Sequence, residues 1–120
     1  IPQTSKRVDF ILTGYNETEK PNVIVIELKQ WDKLVAVMQK DAMVETYTGN
    51  AVREVVHPSY QAWSYSMLIR DYNESVQAND IEIVPCAYLH NYRRQDQDPL
   101  DHPHYETYTK EAPAFTRGEV

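Results

Sequence analysis

The sequence of 120 residues is poor in glycine and cysteine, and each shortage excludes a class of site. Three glycines are too few for a glycine-rich phosphate-binding loop, and neither P-loop spacing nor a dinucleotide-binding fingerprint occurs. The single cysteine, Cys86, excludes an internal disulfide framework and a cysteine-rich zinc site. No apolar run approaches the roughly 20 residues needed to span a bilayer, so no membrane partner is expected.

Basic residues are also scarce relative to acidic ones, with 12 Lys and Arg against 18 Asp and Glu and a formal net charge of -6. A small domain that binds nucleic acid through charge alone is therefore not expected. Hydrophobic residues at 42% and charged residues at 25% are ordinary for a globular protein, which excludes disordered, collagen-like and coiled-coil classes. The length predicts one domain.

The beginning of the chain favours an origin in a longer protein. The chain opens with Ile1-Pro2-Gln3 instead of Met and enters a strand-like run almost at once. No signal-like segment precedes that run, and the lone thiol has no partner for a disulfide. Both features favour a reducing, cytoplasmic location.

The first half of the sequence predicts two hairpins. Strands are expected at residues 7–15 and 22–31, close enough to pair antiparallel. The second strand is apolar on both pleat faces, which predicts a central strand covered on both sides. Gly49-Asn50, between two β-rich runs, predicts a tight hairpin turn, while residues 32–42 fit either a short helix or a strand.

The second half predicts a helix followed by a further strand. Pro58 is near the first position of a helix that runs to about Asn73. Residues 81–89 form a buried-type strand in which Pro85 indicates an edge position or a bulge. A helix that leads to a buried strand implies a crossover onto a sheet. The expected fold is therefore α/β, with a mixed central sheet and flanking helices.

The strongest candidate for chemistry is Glu27-Leu28-Lys29, at the end of the apolar strand. On a strand, Glu27 and Lys29 point to the same face, and buried charges are costly unless they are paired or bound to metal. Hairpin pairing brings Asp9 beside Glu27. Two carboxylates and a backbone carbonyl suit Mg²⁺ or Mn²⁺, and Lys29 would orient a water, help to deprotonate it or stabilise charge at phosphorus. The alternative is a strand-end ion pair at a solvated edge.

These residues resemble a known pattern. Asp9, followed after seventeen residues by Glu27-x-Lys29, looks like the core of the PD-(D/E)xK nuclease superfamily. Gln61-x-x-x-Tyr65 on the predicted helix resembles the Q-x-x-x-Y motif of its RecB-like and lambda-exonuclease-like branches. The runs from His57 to Ala62 and from Cys86 to Tyr92 resemble the nuclease-like domain that precedes a P-loop helicase-like ATPase in bacterial proteins of unknown function.

The resemblance implies a set of roles for the five residues. Asp9, Glu27 and the Leu28 carbonyl would bind Mg²⁺ or Mn²⁺, and Lys29 would position the water. The Gln61–Tyr65 motif would orient Lys29 or contact the DNA backbone. The implied function is divalent-metal-dependent hydrolysis of nucleic-acid phosphodiester bonds, with DNA as the substrate and RNA left open, in a protein that carries a fused helicase-like ATPase domain.

The resemblance also implies a division of the chain. Residues 1–92 would form a partial restriction-endonuclease-like core that lacks its N-terminal helix and first strand, with a hairpin insertion around 33–56. Residues 93–120 would be a polar extension or a linker toward a further domain. A missing helix would leave one face of the sheet uncovered, so the fragment would be inactive or would form a homodimer across that face.

Two other functions and two weaker sites stay open. The domain would be a catalytically inactive nuclease-like module that binds DNA or regulates, or a protein-interaction domain with an exposed apolar surface. The segment His102-Pro103-His104, near Asp98 and Asp101, has zinc-ligand residue types but no evident scaffold. Arg93-Arg94 is a slight signal for phosphate contact.

Overall fold

The computed structural model describes residues 9–119, apart from the side chain of Ser75. The start of the predicted first strand, residues 7–8, lies outside the described residues. Within them the chain forms seven strands and three helices, in the order β1 (Phe10–Tyr15), β2 (Pro21–Lys29), β3 (Val35–Ala36), β4 (Met43–Thr48), β5 (Ala51–Val56), α1 (Pro58–Tyr72), α2 (Glu74–Ala78), β6 (Glu82–Leu89), α3 (Glu106–Thr109) and β7 (Ala114–Thr116). Two 3₁₀ turns, Pro99–Asp101 and Pro103–Tyr105, precede α3.

The main sheet has the strand order β1-β2-β6-β7 and mixes both pairing directions. β1 and β2 form the predicted antiparallel hairpin, whereas β2–β6 and β6–β7 are parallel. α1 and α2 connect the smaller sheet to β6 and flank the main one. The predicted α/β class, with a mixed central sheet and flanking helices, is confirmed. No helix in the described part of the chain is long and apolar enough to cross a membrane.

The smaller sheet has the order β3-β4-β5 and is antiparallel throughout. Gly49 and Asn50 join β4 to β5 with φ of 59° and 66°. Two positive φ values in a row define the type I′ hairpin turn, whose twist matches that of the strands. The predicted turn is confirmed, and the ambiguous stretch 32–42 contains the short strand β3 and no helix.

The two faces of β2 differ in how they are covered. Val25 packs with Ile69 of α1, Val76 of α2 and Ile83 of β6 on the helix side. On the opposite side no described element covers Leu28, which is 38% exposed. The expectation that both faces of β2 are covered is therefore wrong for residues 9–119. An apolar pattern on both faces predicts a central position in the sheet, but it does not supply the second layer.

That open side forms an apolar surface, which we call the uncovered face. Its residues also surround a shallow cavity of about 380 Å³, lined by Phe10, Ile26, Leu28, Cys86, Tyr88, Phe115 and Glu119. All six residues of β1 are exposed, and among the described strands β1 pairs with β2 alone. β1 is thus the described strand of the main sheet with the least tertiary cover.

Pro85 lies in the first half of β6, before the residues that pair with the outer strand β7. β7 pairs only with residues 87–89, and the Ala87 N–H donates to the Pro113 carbonyl on that side. Residues two apart on a strand direct their N–H groups toward the same neighbour. The N–H that Pro85 lacks would therefore face the free edge, and the predicted edge position is confirmed at this point.

The segment after residue 92, expected to be a polar extension or a linker, is folded onto the core as far as residue 119. Leu100 and Tyr105 have no exposed surface and pack with Leu34, Val44 and Leu89. This segment also supplies β7, the outer strand of the main sheet. Its few apolar residues are spaced by prolines and charges, so their burial does not show in the composition.

His57 joins three parts of the fold. Its Nδ1 accepts the Ser59 N–H at the start of α1, and its Nε2–H donates to the Leu100 carbonyl at 3.0 Å. The His57 backbone N–H donates to the Ala42 carbonyl, and its ring lies 4.6 Å from that of Tyr105. Because Nδ1 is used as an acceptor, the imidazole is neutral, with its proton on Nε2.

Because His57 is buried in its neutral form, its contribution to stability depends on pH. Burial lowers the pKa of His57 below its ordinary value of 6.5, against the smaller effects of the Leu100 carbonyl and Asp101. The unfolded chain thus binds a proton at a higher pH than the folded chain does. The contribution of His57 to stability is complete above its ordinary pKa and is lost as the pH falls toward the lowered value.

We expect His57→Ala to remove this pH dependence. The variant should lose about 1–2 kcal/mol of unfolding free energy at neutral pH through the missing helix cap. The loss should shrink as the pH falls from about 7.5 to about 5.5, because the wild type is destabilised there and the variant is not. Urea unfolding at several pH values measures both effects. His90→Ala is the control, and an equal pH slope for His57→Ala and the wild type would contradict the assignment.

Candidate functional site

Glu27 places a carboxylate inside the protein at the end of the apolar stripe of β2. Its side chain is on the α1 side of the sheet, two residues beyond Val25, and the residue is only 3% exposed. The Lys29 ammonium lies 3.2 Å from Glu27 Oε1 and is itself mostly buried. Glu27 and Lys29 therefore form a partly desolvated ion pair, and the predicted shared face is confirmed.

The pKa of Glu27 shows that the single cation does not fully offset burial. Burial raises the pKa of the Glu27 carboxyl above its ordinary value of 4.5, the charge of Lys29 lowers it, and the nearby Asp9 carboxylate raises it again. The balance is upward, so the ionised form of Glu27 is less favourable in the fold than in water. A further positive charge at this position would relieve that cost.

Asp9 approaches the same point from the start of β1. Its Oδ2 accepts the Leu28 N–H at 3.0 Å, and Asp9 acts on Glu27 through both charge and hydrogen bonding. The β1–β2 register pairs Phe10 with Ile26, so Asp9 continues the hairpin opposite Glu27. The structure thus brings together Asp9, Glu27 and Lys29, as the sequence predicted from hairpin pairing.

The donor set suits a hard divalent cation that keeps open positions. No cluster of three or more His, Cys, Asp or Glu side chains with metal-site geometry occurs among residues 9–119. Mg²⁺, however, is commonly held by one or two carboxylates together with water and substrate phosphates. Asp9 and Glu27 supply two carboxylates. The Leu28 carbonyl points to the same side as its N–H, toward Asp9.

Trp31 is a neighbour of the candidate site. Its ring lies 5.0 Å from the Lys29 ammonium, in a cation–π contact, and it packs against the buried cluster around Leu34 and Leu89. Lys29 is therefore held between an indole ring and a carboxylate. The sequence carries a signal for this contact, because residues 27, 29 and 31 all point to the same side of an extended chain.

Gln61 and Tyr65 both lie on α1, the helix that covers the Glu27 face. Tyr65 packs on the apolar cluster that includes Val25, so part of its role is structural. The end of α1 lies toward the amino ends of the strands, because α2 leads directly into β6. Gln61 lies one helical turn, about 6 Å, nearer the start of α1 than Tyr65.

The contacts that the Q-x-x-x-Y motif predicts for α1 are not formed. In the described portion of the chain, neither Gln61 nor Tyr65 makes a side-chain hydrogen bond to Lys29 or Glu27. The structure therefore gathers Asp9, Glu27, Leu28 and Lys29 into one site. Within residues 9–119, Gln61 makes no side-chain hydrogen bond to that site.

The weaker candidates have structural roles. His102 Nδ1 accepts the His104 N–H, and His104 Nε2 contacts the Lys40 carbonyl, so both rings are used within the fold. Asp98 is buried, accepts the Tyr92 hydroxyl and caps the turn at Leu100. These interactions account for the residues that had zinc-ligand types.

Comparison of the chain with protein-family models, with curated proteins and with solved structures gave no match.

We expect Mn²⁺ to stabilise the wild type and not Glu27→Gln. For a site that forms only in the folded state, the gain is about 1–3 kcal/mol between roughly 10 and 100 times Kd. Glu82→Gln, an exposed position at the amino end of β6, is the matched control and should respond like the wild type. Thermal unfolding with and without Mn²⁺ measures the effect, and an equal stabilisation of Glu27→Gln would contradict the ligand assignment.

The pH dependence without metal provides a second expectation. Because the pKa of Glu27 is raised in the fold, its favourable contribution is complete below 4.5 and is lost as the pH rises through the raised value. Glu27→Gln should remove this loss, so its unfolding free energy should decline less between acidic and neutral pH. A steeper decline than that of the wild type would show that ionised Glu27 is a net stabiliser.

Proposed function

We propose that this domain hydrolyses phosphodiester bonds in nucleic acid with the help of Mg²⁺ or Mn²⁺, as its resemblance to the PD-(D/E)xK nuclease superfamily implies. The observation that carries the proposal is the buried Glu27 carboxylate, which interacts with both the Lys29 ammonium and the Asp9 carboxylate. The charge of the Asp9 carboxylate is unfavourable beside the buried Glu27 carboxylate, although Asp9 also accepts the Leu28 N–H. A cation and a phosphate group would account for the arrangement.

Asp9, Glu27 and the Leu28 carbonyl would hold the divalent cation. The bound cation would supply Lewis-acid polarisation of a phosphoryl oxygen and neutralise developing negative charge. Asp9 is exposed and Glu27 is buried, so the site opens on the Asp9 side. The substrate phosphate would approach from that side.

Lys29 acts in this scheme as a cation that donates hydrogen bonds. Its ammonium is held by the ion pair with Glu27 and by the cation–π contact with the Trp31 ring. An ammonium in this position would orient the attacking water or stabilise charge at phosphorus, roles that need no proton uptake by Lys29. Of the three roles that the sequence left open for Lys29, the proposal keeps orientation of the water and stabilisation of charge, and it omits deprotonation of the water.

Gln61 would complete the site when substrate is bound. Gln61 lies in the first half of α1, and its amide has no side-chain hydrogen bond within residues 9–119. A free amide is able to donate to a phosphate oxygen and accept from water. Tyr65 would serve mainly to fix α1 on β2. A fused helicase-like ATPase, implied by the same resemblance, would deliver the strand.

We expect Mg²⁺- or Mn²⁺-dependent nicking or degradation of DNA by the wild type, abolished by EDTA. Glu27→Gln and Lys29→Met should each lower the rate by about 100-fold or more, the usual cost of one group that stabilises transition-state charge. Cleavage of single- and double-stranded DNA and of RNA is followed on gels. The controls are Glu82→Gln and Lys20→Gln, at the opposite end of the sheet.

Each result has a definite meaning. Cleavage that survives Glu27→Gln would refute the site. A wild type that binds DNA but cleaves none with either metal would refute catalysis and favour the inactive nuclease-like module. Circular dichroism of each variant shows that a lost rate does not reflect a lost fold.

A further inference from the structure

Two cations line a cleft next to the candidate site. The cleft has a volume of about 280 Å³ and lies between the segment after β2 and the segment after β6. Lys33 belongs to the first segment and Arg93 to the second. Because β2 and β6 are parallel, both segments begin at the carboxyl ends of these strands. Glu27 and Lys29 lie at the same end of the sheet. The Asn91 side chain donates to the Gln30 carbonyl and ties the two segments together.

The structure separates the roles of the two neighbouring arginines. Arg94 forms ion pairs with Asp101 and Glu119 and donates to the Ala114 carbonyl, so its guanidinium holds the C-terminal segment in place. Arg93 is exposed and has no ion pair or side-chain hydrogen bond in the described ranges. One arginine of the pair is structural, and the other is available to a ligand.

Lys33 is available in the same way. Its carbonyl accepts the Thr46 hydroxyl, which fixes the backbone, while its ammonium forms no ion pair within residues 9–119. Among the described residues, Asp32 is the one acidic residue that lines the cleft together with these two cations. The lining is thus net positive in a chain whose formal net charge is -6. An isolated positive cleft of this kind attracts an anion at the carboxyl ends of parallel strands, where ligands of α/β sheets bind.

We propose that this cleft binds the sugar-phosphate backbone of the nucleic-acid strand that the candidate site cleaves, with Lys33 and Arg93 each contacting one phosphate. The inference rests on the proposed function, because that function supplies the polymer. The guanidinium of Arg93 is suited to two parallel hydrogen bonds to a phosphate, and the Lys33 ammonium acts as a point charge. Contacts to phosphates position a strand without reading its sequence.

The test is the salt dependence of DNA binding in EDTA, where no cleavage occurs. Fluorescence anisotropy of a labelled single-stranded oligonucleotide gives Kd between about 50 and 200 mM salt. Each phosphate contact contributes about 0.7 to the slope of log K against log salt for a single strand. The Lys33→Gln, Arg93→Gln double variant should therefore lose about 1.4 from the slope.

Two matched double variants serve as controls. Lys33→Arg with Arg93→Lys keeps both charges and should keep the slope. Lys20→Gln with Arg70→Gln removes the same charge at the start of β2 and the end of α1, far from the cleft, and should also keep it. Thermal unfolding of every variant shows that the fold is retained.

The outcomes distinguish this inference from the proposed function. An unchanged slope for Lys33→Gln with Arg93→Gln overturns the cleft, while metal-dependent cleavage by the wild type would still support catalysis. The reduced slope in a protein that cleaves nothing supports the cleft and overturns catalysis. An equal loss of affinity for a mononucleotide and for the oligonucleotide identifies an isolated phosphate site and overturns the backbone path. Absence of DNA and RNA binding by the wild type also overturns it.

Discussion

A neutral imidazole sets the arrangement on which the candidate site depends. His57 caps α1 with Nδ1, donates from Nε2 to the Leu100 carbonyl, and joins the end of β5 to the Ala42 carbonyl through its backbone. The helix, the smaller sheet and the C-terminal segment therefore meet at one buried ring. The position of α1 on β2 follows from that meeting point, and α1 in turn removes the Glu27 carboxylate from water.

The elements with local signals could be predicted from the sequence. The β1–β2 hairpin, the Gly49-Asn50 turn and the start of α1 each follow from a few adjacent residues whose backbone preferences are strong. β7 and the packing of residues 93–119 could not be predicted in this way. Their burial depends on Leu100 and Tyr105 reaching a core built from distant segments, and a polar composition conceals such sparse contacts.

The candidate site was predictable to a similar degree. Strand parity placed Glu27 and Lys29 together, and hairpin pairing added Asp9. The same parity extends to Trp31, which contacts the Lys29 ammonium, although a tryptophan more often indicates a core residue than a neighbour of a charged site. The contacts of Gln61 and Tyr65 depend on side-chain rotamers and on the exact height of α1 over the sheet. No motif spacing fixes those quantities.

The open edge of β1 gives Asp9 a different dynamic character from that of Glu27. Glu27 belongs to a strand paired on both sides, whereas in the described part of the chain β1 pairs with β2 alone, and all its residues are exposed. Segments with few buried contacts open locally at a small cost compared with global unfolding. Glu27 is therefore held in place by the sheet, whereas Asp9 precedes a strand that opens at lower cost. A cation that bound both carboxylates would stabilise the pairing of β1 with β2.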